Sequence, residues 1–211
     1  LYSIQGIVES WSICSEDVDW ISRKKHHLPY DDYKKWYWGQ KDEFNPSKFD
    51  PDQWADMMQD AGVKYMIFTT KHHDGFCMYD SKYTDFSIAH GEAFKNNPKR
   101  DIARYVFDAF RKKNFMIGCY FSKPDWHSQD YWWDVYPTKN GRNVNYDIKK
   151  WPWRWNRYKQ FVYNQMCEIT DPKRYGNVDI LWLDGGWVCK ENNQDIDMPH
   201  IAEGVRKNQP G

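Results

Sequence analysis

Apolar and β-branched residues fill positions 65–69 (Tyr65, Met66, Ile67, Phe68, Thr69), and the run then breaks into Lys71, His72, His73, Asp74 and Gly75. Two later runs end the same way. FMIGCYFS (115–122) leads into Lys123, Asp125 and Trp126, and VDILWLDGGW (178–187) carries Asp184 at its end. Apolar runs of this length, bounded by turn residues, read as buried strands. Between them the period becomes helical. Asp50-Pro51-Asp52-Gln53 opens a helix, with Asp50 as N-cap, Pro51 at the first position and Gln53 placed for a capping box. Trp54, Met57, Met58 and Ala61 form its apolar stripe, and Gly62 closes it. A second helix is predicted from near Pro98, with Ile102, Tyr105, Val106, Ala109 and Phe110 on one face and Asn114 as C-cap. A third runs from about Trp153 to Ile169, with Trp155, Tyr158, Val162 and Met166 on one face, and Asp171-Pro172 stops it. A fourth follows Asp197, with Ile201 and Val205 inside. Ser3–Val8 reads as an additional first strand, and Glu9 to Phe49 as a long irregular segment.

The resulting order is βαβαβαβα, which implies parallel strands with helices outside them. A doubly wound sheet fits that alternation as well as a barrel does. No GxGxxG or GxxxxGK[ST] follows any strand, which argues against a nucleotide-binding sheet. Polar groups gathered at several strand ends favour a (β/α)8 TIM-like barrel. Four βα units fit here, whereas a barrel takes roughly 250 residues. The chain stops at Gln209-Pro210-Gly211, where a fifth strand would begin. Residues 1–211 are therefore expected to be the N-terminal part of a catalytic (β/α)8-like domain, half of the barrel. Segments 80–98 and 123–153 are expected as long loops on its catalytic face.

Composition narrows the function. Lys plus Arg and Asp plus Glu each total 30, so no basic excess points to nucleic acid or a membrane surface as partner. The longest apolar runs are far too short to span a bilayer. The five cysteines are odd in number and contain no CxxC pair, so free thiols and no structural zinc are expected. Aromatic residues are abundant, with 13 Trp, 15 Tyr and 11 Phe. Trp36, Trp38, Trp126, Trp132, Trp133, Trp151, Trp153, Trp155 and Trp187 fall mostly in polar, loop-like contexts. Exposed there, their flat apolar faces would suit the C–H faces of sugar rings.

Asp184 is the strongest candidate for chemistry. A carboxylate at a strand end is what glycoside hydrolysis needs on one side of the scissile bond. The same Asp could simply cap the following loop. Gly185, Gly186 and Trp187 tip the reading toward function, because two glycines would let a ring approach the backbone. His72 and His73 could be metal ligands, a general base or donors to substrate hydroxyls. Adjacent residues on an extended backbone point to opposite sides, which disfavours a shared metal and prefers hydroxyl recognition. His26 and His27 read as solvated, and His127 is open. Asp74, Asp80 and Asp125 read singly as caps. GxSxG is missing, so no serine nucleophile elbow is expected.

At these residues the chain resembles a family. Segments 44–87 (FNPSKFD through KHHDGF to DSKYTDFS), 97–112 (NPKRDIARYVFDAFRK), 118–126 (GCYFSKPDW) and 179–187 (DILWLDGGW) resemble the α-L-fucosidases of glycoside hydrolase family 29, over most of residues 40–190. The resemblance implies a (β/α)8-like catalytic domain, usually followed by a β-sandwich. It also implies a retaining exo-glycosidase that removes terminal α-L-fucose from glycans through a covalent glycosyl-enzyme, without a cofactor. The family's nucleophile is the aspartate of its LWxDG motif, here Asp184. Its paired histidines bind fucose hydroxyls and match His72 and His73. Tyr120 matches the first aromatic of its YYS-like motif, where Phe121 departs at the second. Trp36 matches the tryptophan of its EWY-like segment, where Lys35 replaces the glutamate. Trp126 and Trp187 complete the expected sugar-binding set. A family histidine at the end of the first strand is replaced by Ser10, which motivates an alternative: a carbohydrate-binding homologue of altered specificity, for example toward an L-galactoside, or of reduced catalysis. The family's acid/base usually lies beyond the nucleophile and is expected past residue 211. Family members suggest a secreted, periplasmic or lysosomal setting.

Overall fold

Strands β1 (Tyr65–Lys71), β2 (Met116–Ser122) and β3 (Ile180–Asp184) lie side by side in chain order, and both pairings are parallel. They come from a computed structural model that describes residues 10–14, 26–138 and 141–210. The strand expected at Ser3–Val8 falls outside these. The register sets Thr69 beside Tyr120, Tyr120 beside Trp182, and Ser122 beside Asp184. Parallel partners share a face, so Tyr120, Ser122, Trp182 and Asp184 line one side of the sheet. Ile117, Cys119 and Phe121 alternate with them, face the other way and are buried.

Helix α3 (Ile102–Lys112) covers the opposite face, burying Ile102, Ala103, Val106, Phe107, Ala109 and Phe110. It starts at Ile102, later than the expected start near Pro98, because residues 97–100 form a turn in which the Arg100 amide donates to Asn97 O. Asn114 follows it in the left-handed region, at φ 62°. Helix α4 (Pro152–Ile169) buries Trp155, Tyr158, Val162 and Met166, the face read from the sequence. A short helix α5 (Pro172–Tyr175) follows immediately, so Asp171-Pro172 both stops one helix and starts another. Helix α6 (Met198–Asn208) packs on α4.

Two other readings need correction. Helix α1 (Tyr30–Gly39) lies inside the segment expected to be irregular and buries Tyr33 and Tyr37. Its pattern is hard to see because charged residues and half-buried aromatics share the helix. Helix α2 (Pro51–Asp60) has the expected cap, with the Gln53 amide donating to the Asp50 side chain. Its supposed core stripe is exposed, however: Met57 is 61% accessible, and Trp54 and Met58 are also exposed, while Pro51 and Ala55 are buried.

Candidate active site

The register of β1 shifts between Thr69 and Lys71. A bulge of this kind re-aims the residues after it. Lys71 consequently turns away from the Asp184 face and is fully buried, where Nζ donates to Gln165 Oε1 of α4 at 2.9 Å and to Asp125 Oδ2 at 3.3 Å. Its ammonium also sits 4.3 Å from the centre of the Phe121 ring. The strand ends here, and the chain turns as the Gly75 amide donates to His72 O. His72 and His73 therefore do not obey strand alternation. Their ring centres are 4.2 Å apart and both rings converge on Asp184. The argument that adjacent histidines must diverge fails, because it assumed an extended backbone at a position that is already a turn.

Tyr120 stacks on His72 at 5.6 Å with the rings nearly parallel, and its hydroxyl donates to Asp184 Oδ2 at 2.6 Å. The Gly185 amide donates to Asp184 Oδ1 at 2.6 Å. His73 Nε2 lies 3.8 Å from Asp184 Oδ2. Burial pushes the Asp184 carboxyl up, but the Tyr120 and Gly185 hydrogen bonds, together with the two histidines beside it, hold the group below the ordinary aspartate range. Burial drives His73 down to about 3, helped by its neighbour His72, and burial also lowers His72. At neutral pH the cluster is thus an ionised carboxylate facing two neutral imidazoles.

Behind the cluster, Ser10 Oγ contacts His72 Nδ1, and Ser122 Oγ contacts His73 Nδ1 at 2.7 Å. Trp11, Trp126 and Trp187 surround His73 with ring centres 5.7, 5.2 and 5.0 Å away. Trp187 is half-buried, and its Nε1 donates to Tyr131 Oη and Arg142 O. Trp126 is fully enclosed, so it presents no face to a sugar and instead backs His73. Trp36 packs its ring against His26 and Tyr33. The neighbouring Tyr37 donates to Asp74 Oδ2 at 2.8 Å and so ties α1 to the turn after the histidines. His26 packs on those aromatic rings and is not simply solvated. His127 stacks on Phe86 and is held low by burial, a core role.

The tryptophans of 123–153 are mostly a packed layer and not exposed platforms: Trp126 and Trp132 stack on each other, and of this loop's tryptophans only Trp153 is freely accessible. Asp74 and Asp125 cap as expected, accepting from the Phe76 amide and from the His127 and Ser128 amides. Asp80 instead faces Arg100. The glycine after Asp184 has a different reason from ligand approach. Gly185 has φ 83°, and a Cβ there would lie 2.2 Å from Pro124 Cδ, whereas Gly186 has open space. All five cysteines are free thiols.

Ligand-capable atoms of His72, His73 and Asp184 lie within 4.8 Å of one another, a donor set that a divalent cation could use. The same atoms are equally suited to sugar hydroxyls. Ser122, Trp11 and the Lys71–Asp125–Gln165 network were missed in the sequence. Ser122 was the accessible one, since it follows Tyr120 by two residues in a strand and so shares its face.

A family model described as Alpha-L-fucosidase matches residues 1–211. Alpha-L-fucosidase 1 of Arabidopsis thaliana is 30% identical over 142 residues, which is 67% of this chain and 23% of that protein. The structure of α-L-fucosidase isoenzyme 1 from Paenibacillus thiaminolyticus superposes with TM-score 0.68 at 29% identity, covering 95% of this chain and 42% of that one. A trapped covalent intermediate of an α-L-fucosidase from Bacteroides thetaiotaomicron, in complex with 2-fluoro-fucosyl fluoride, superposes with TM-score 0.65 at 30% identity, covering 90% and 38%. The chain spans about a quarter of the length of the Arabidopsis relative. By the match of the family model along its whole length and by its α/β likeness to these catalytic domains, the chain belongs to the α-L-fucosidase family.

Proposed function

We propose that the protein is a retaining exo-glycosidase that releases terminal α-L-fucose from glycans or glycoconjugates, with Asp184 as the nucleophile. The observation that carries this is the state of Asp184: an ionised, doubly hydrogen-bonded carboxylate at the end of β3, half-exposed beside two neutral histidines. A retaining enzyme needs such a carboxylate to attack the anomeric carbon and form a glycosyl ester. The second carboxylate, about 5–5.5 Å from the first in retaining enzymes, protonates the leaving oxygen and then activates water. None is assigned here, and it is proposed to lie beyond residue 211. His72 and His73 bind sugar hydroxyls, Trp187 lines the pocket, and Tyr120 keeps the nucleophile ionised. The covalent intermediate trapped in the Bacteroides relative supports the retaining course. The sheet is proposed as three consecutive staves of a (β/α)8 barrel, with the Asp184 face as its interior. The altered-specificity alternative draws no support from the relatives named above.

The test is hydrolysis of an aryl α-L-fucoside by the full-length protein and its Asp184→Gly variant. Turnover is expected to fall by several orders of magnitude, with azide restoring part of it as a glycosyl azide. Near-normal turnover in the variant would remove Asp184 from the role. Activity is expected to survive chelation; loss on chelation, restored by a divalent cation, would favour a metal-dependent hydrolase.

A further inference from the structure

Ser122 has one hydroxyl proton and two close neighbours. Its Oγ is 2.8 Å from Pro124 O and 2.7 Å from His73 Nδ1. A carbonyl oxygen can only accept, so the Ser122 proton points to Pro124. The contact with His73 is then a hydrogen bond only if Nδ1 carries a hydrogen and donates it. A neutral imidazole has one N–H, which leaves Nε2 as a bare acceptor. Burial keeps the ring neutral. The Trp126 amide, donating to His73 O at 2.9 Å, and the rings of Trp11, Trp126 and Trp187 hold the imidazole in place.

The consequence lies on the other edge of the ring. His73 Nε2 and Asp184 Oδ2 face each other at 3.8 Å, too far for a direct hydrogen bond, and the Tyr120 hydroxyl proton already goes to Oδ2. Two acceptor atoms therefore lie 3.8 Å apart with no proton of their own between them. We infer that Ser122 is a positioning residue that locks His73 as the Nδ1–H tautomer, so that His73 reads a ligand hydroxyl as a hydrogen-bond donor and cannot itself give a proton to the substrate. The lock stands on protein geometry alone; the reading of a sugar hydroxyl rests on the function proposed above. His72 has no comparable assignment, because its Ser10 partner could either donate or accept.

The lock is tested without substrate. In the full-length protein with ring-15N histidine, the His73 signals are identified by their loss in His73→Gln. At neutral pH they are expected to show a protonated Nδ1 and an unprotonated Nε2. A protonated Nε2, an imidazolium, or an averaged mixture of tautomers in the wild type would overturn the lock. Ser122→Ala is expected to release the ring into a tautomer mixture, and Ser122→Thr to restore the wild-type spectrum. An unchanged tautomer in folded Ser122→Ala would overturn the role of Ser122. The ligand arm uses deoxy and deoxyfluoro L-fucoses as competitive inhibitors. At one ring position both replacements are expected to weaken binding equally, roughly three- to tenfold, since fluorine cannot donate. That loss should vanish in His73→Gln. Fluorine that substitutes without loss at every position would overturn the acceptor role. Absence of inhibition by any fucose would count against the fucosidase reading, while the spectrum still decides the lock.

Discussion

Asp184 owes its character to one neighbour above all. The Tyr120 hydroxyl, 2.6 Å away, stabilises the carboxylate and not the acid. Tyr120→Phe removes that bond, so the Asp184 pKa rises and the acidic limb of the kcat/KM profile moves to higher pH. The loss of a hydrogen bond to a charged group predicts a fall of roughly ten- to hundredfold in kcat/KM, measured across pH on an aryl fucoside. An unmoved acidic limb would mean that another group controls it. His73 makes a second prediction, in stability rather than in rate. Its folded pKa is about 3 against 6.5 for the free side chain, so between these values the unfolded chain binds the extra proton. Stability therefore falls as pH drops from about 6.5 toward about 3. His73→Gln should flatten the pH dependence of Tm most clearly in the upper part of that window, where few carboxylates titrate. Equal slopes for both proteins between pH 6.5 and about 5 would contradict the burial of a neutral His73.

At the scale of elements, the bulge at the end of β1 does two jobs. It sends Lys71 to the helix side and ends the strand, so that the side chains of the next two residues reach Asp184 at the end of β3. Lys71 then joins three pieces: its own strand, α4 through Gln165, and the loop after β2 through Asp125. The loop is fixed further, because Gly75 has φ 83° and a Cβ there would lie 2.2 Å from Asp125 Oδ1. Removing one partner of a buried pair leaves the other charge unpaired. Lys71→Met is expected to cost about 3–5 kcal/mol in chemical denaturation of the full-length protein. Lys71→Met combined with Asp125→Asn should recover part of that loss, since the amide keeps an oxygen for the His127 and Ser128 amides without the charge. A double variant no more stable than Lys71→Met would show that the ion pair is not the source of the cost.

Across the whole molecule, the Asp184 face of the sheet is the one left open. Tyr65 is 54% accessible, Met116 50% and Trp182 55%. Large apolar side chains gathered on one sheet face are normally covered. In the proposed barrel they form interior layers. Residues 1–211 expressed alone are accordingly expected to be poorly soluble and inactive, and Trp182 fluorescence to be quenched by iodide there but shielded in the full-length protein. A soluble, cooperatively melting and active protein of residues 1–211 would overturn both the proposed barrel and the proposed placement of the acid/base.

The strands β1, β2 and β3, the helix cap at Asp50, the helix start after Asp197, and the importance of Asp184 were readable from the chain because each depends on local pattern: a short apolar run, an acceptor before a first turn, a carboxylate at a strand end. Helix α1 was not, since its buried tyrosines are set among charges that the surface tolerates. Trp126 looked like a sugar platform because burial has no local signature; only packing against Trp11, His73 and Trp132 encloses it. The convergence of His72 and His73 on Asp184 was also out of reach. It depends on a register shift between two strands about fifty residues apart, and on where β1 stops. Residue type and strand-end position come from the sequence itself, whereas the direction each side chain takes depends on pairings that form only when distant segments meet.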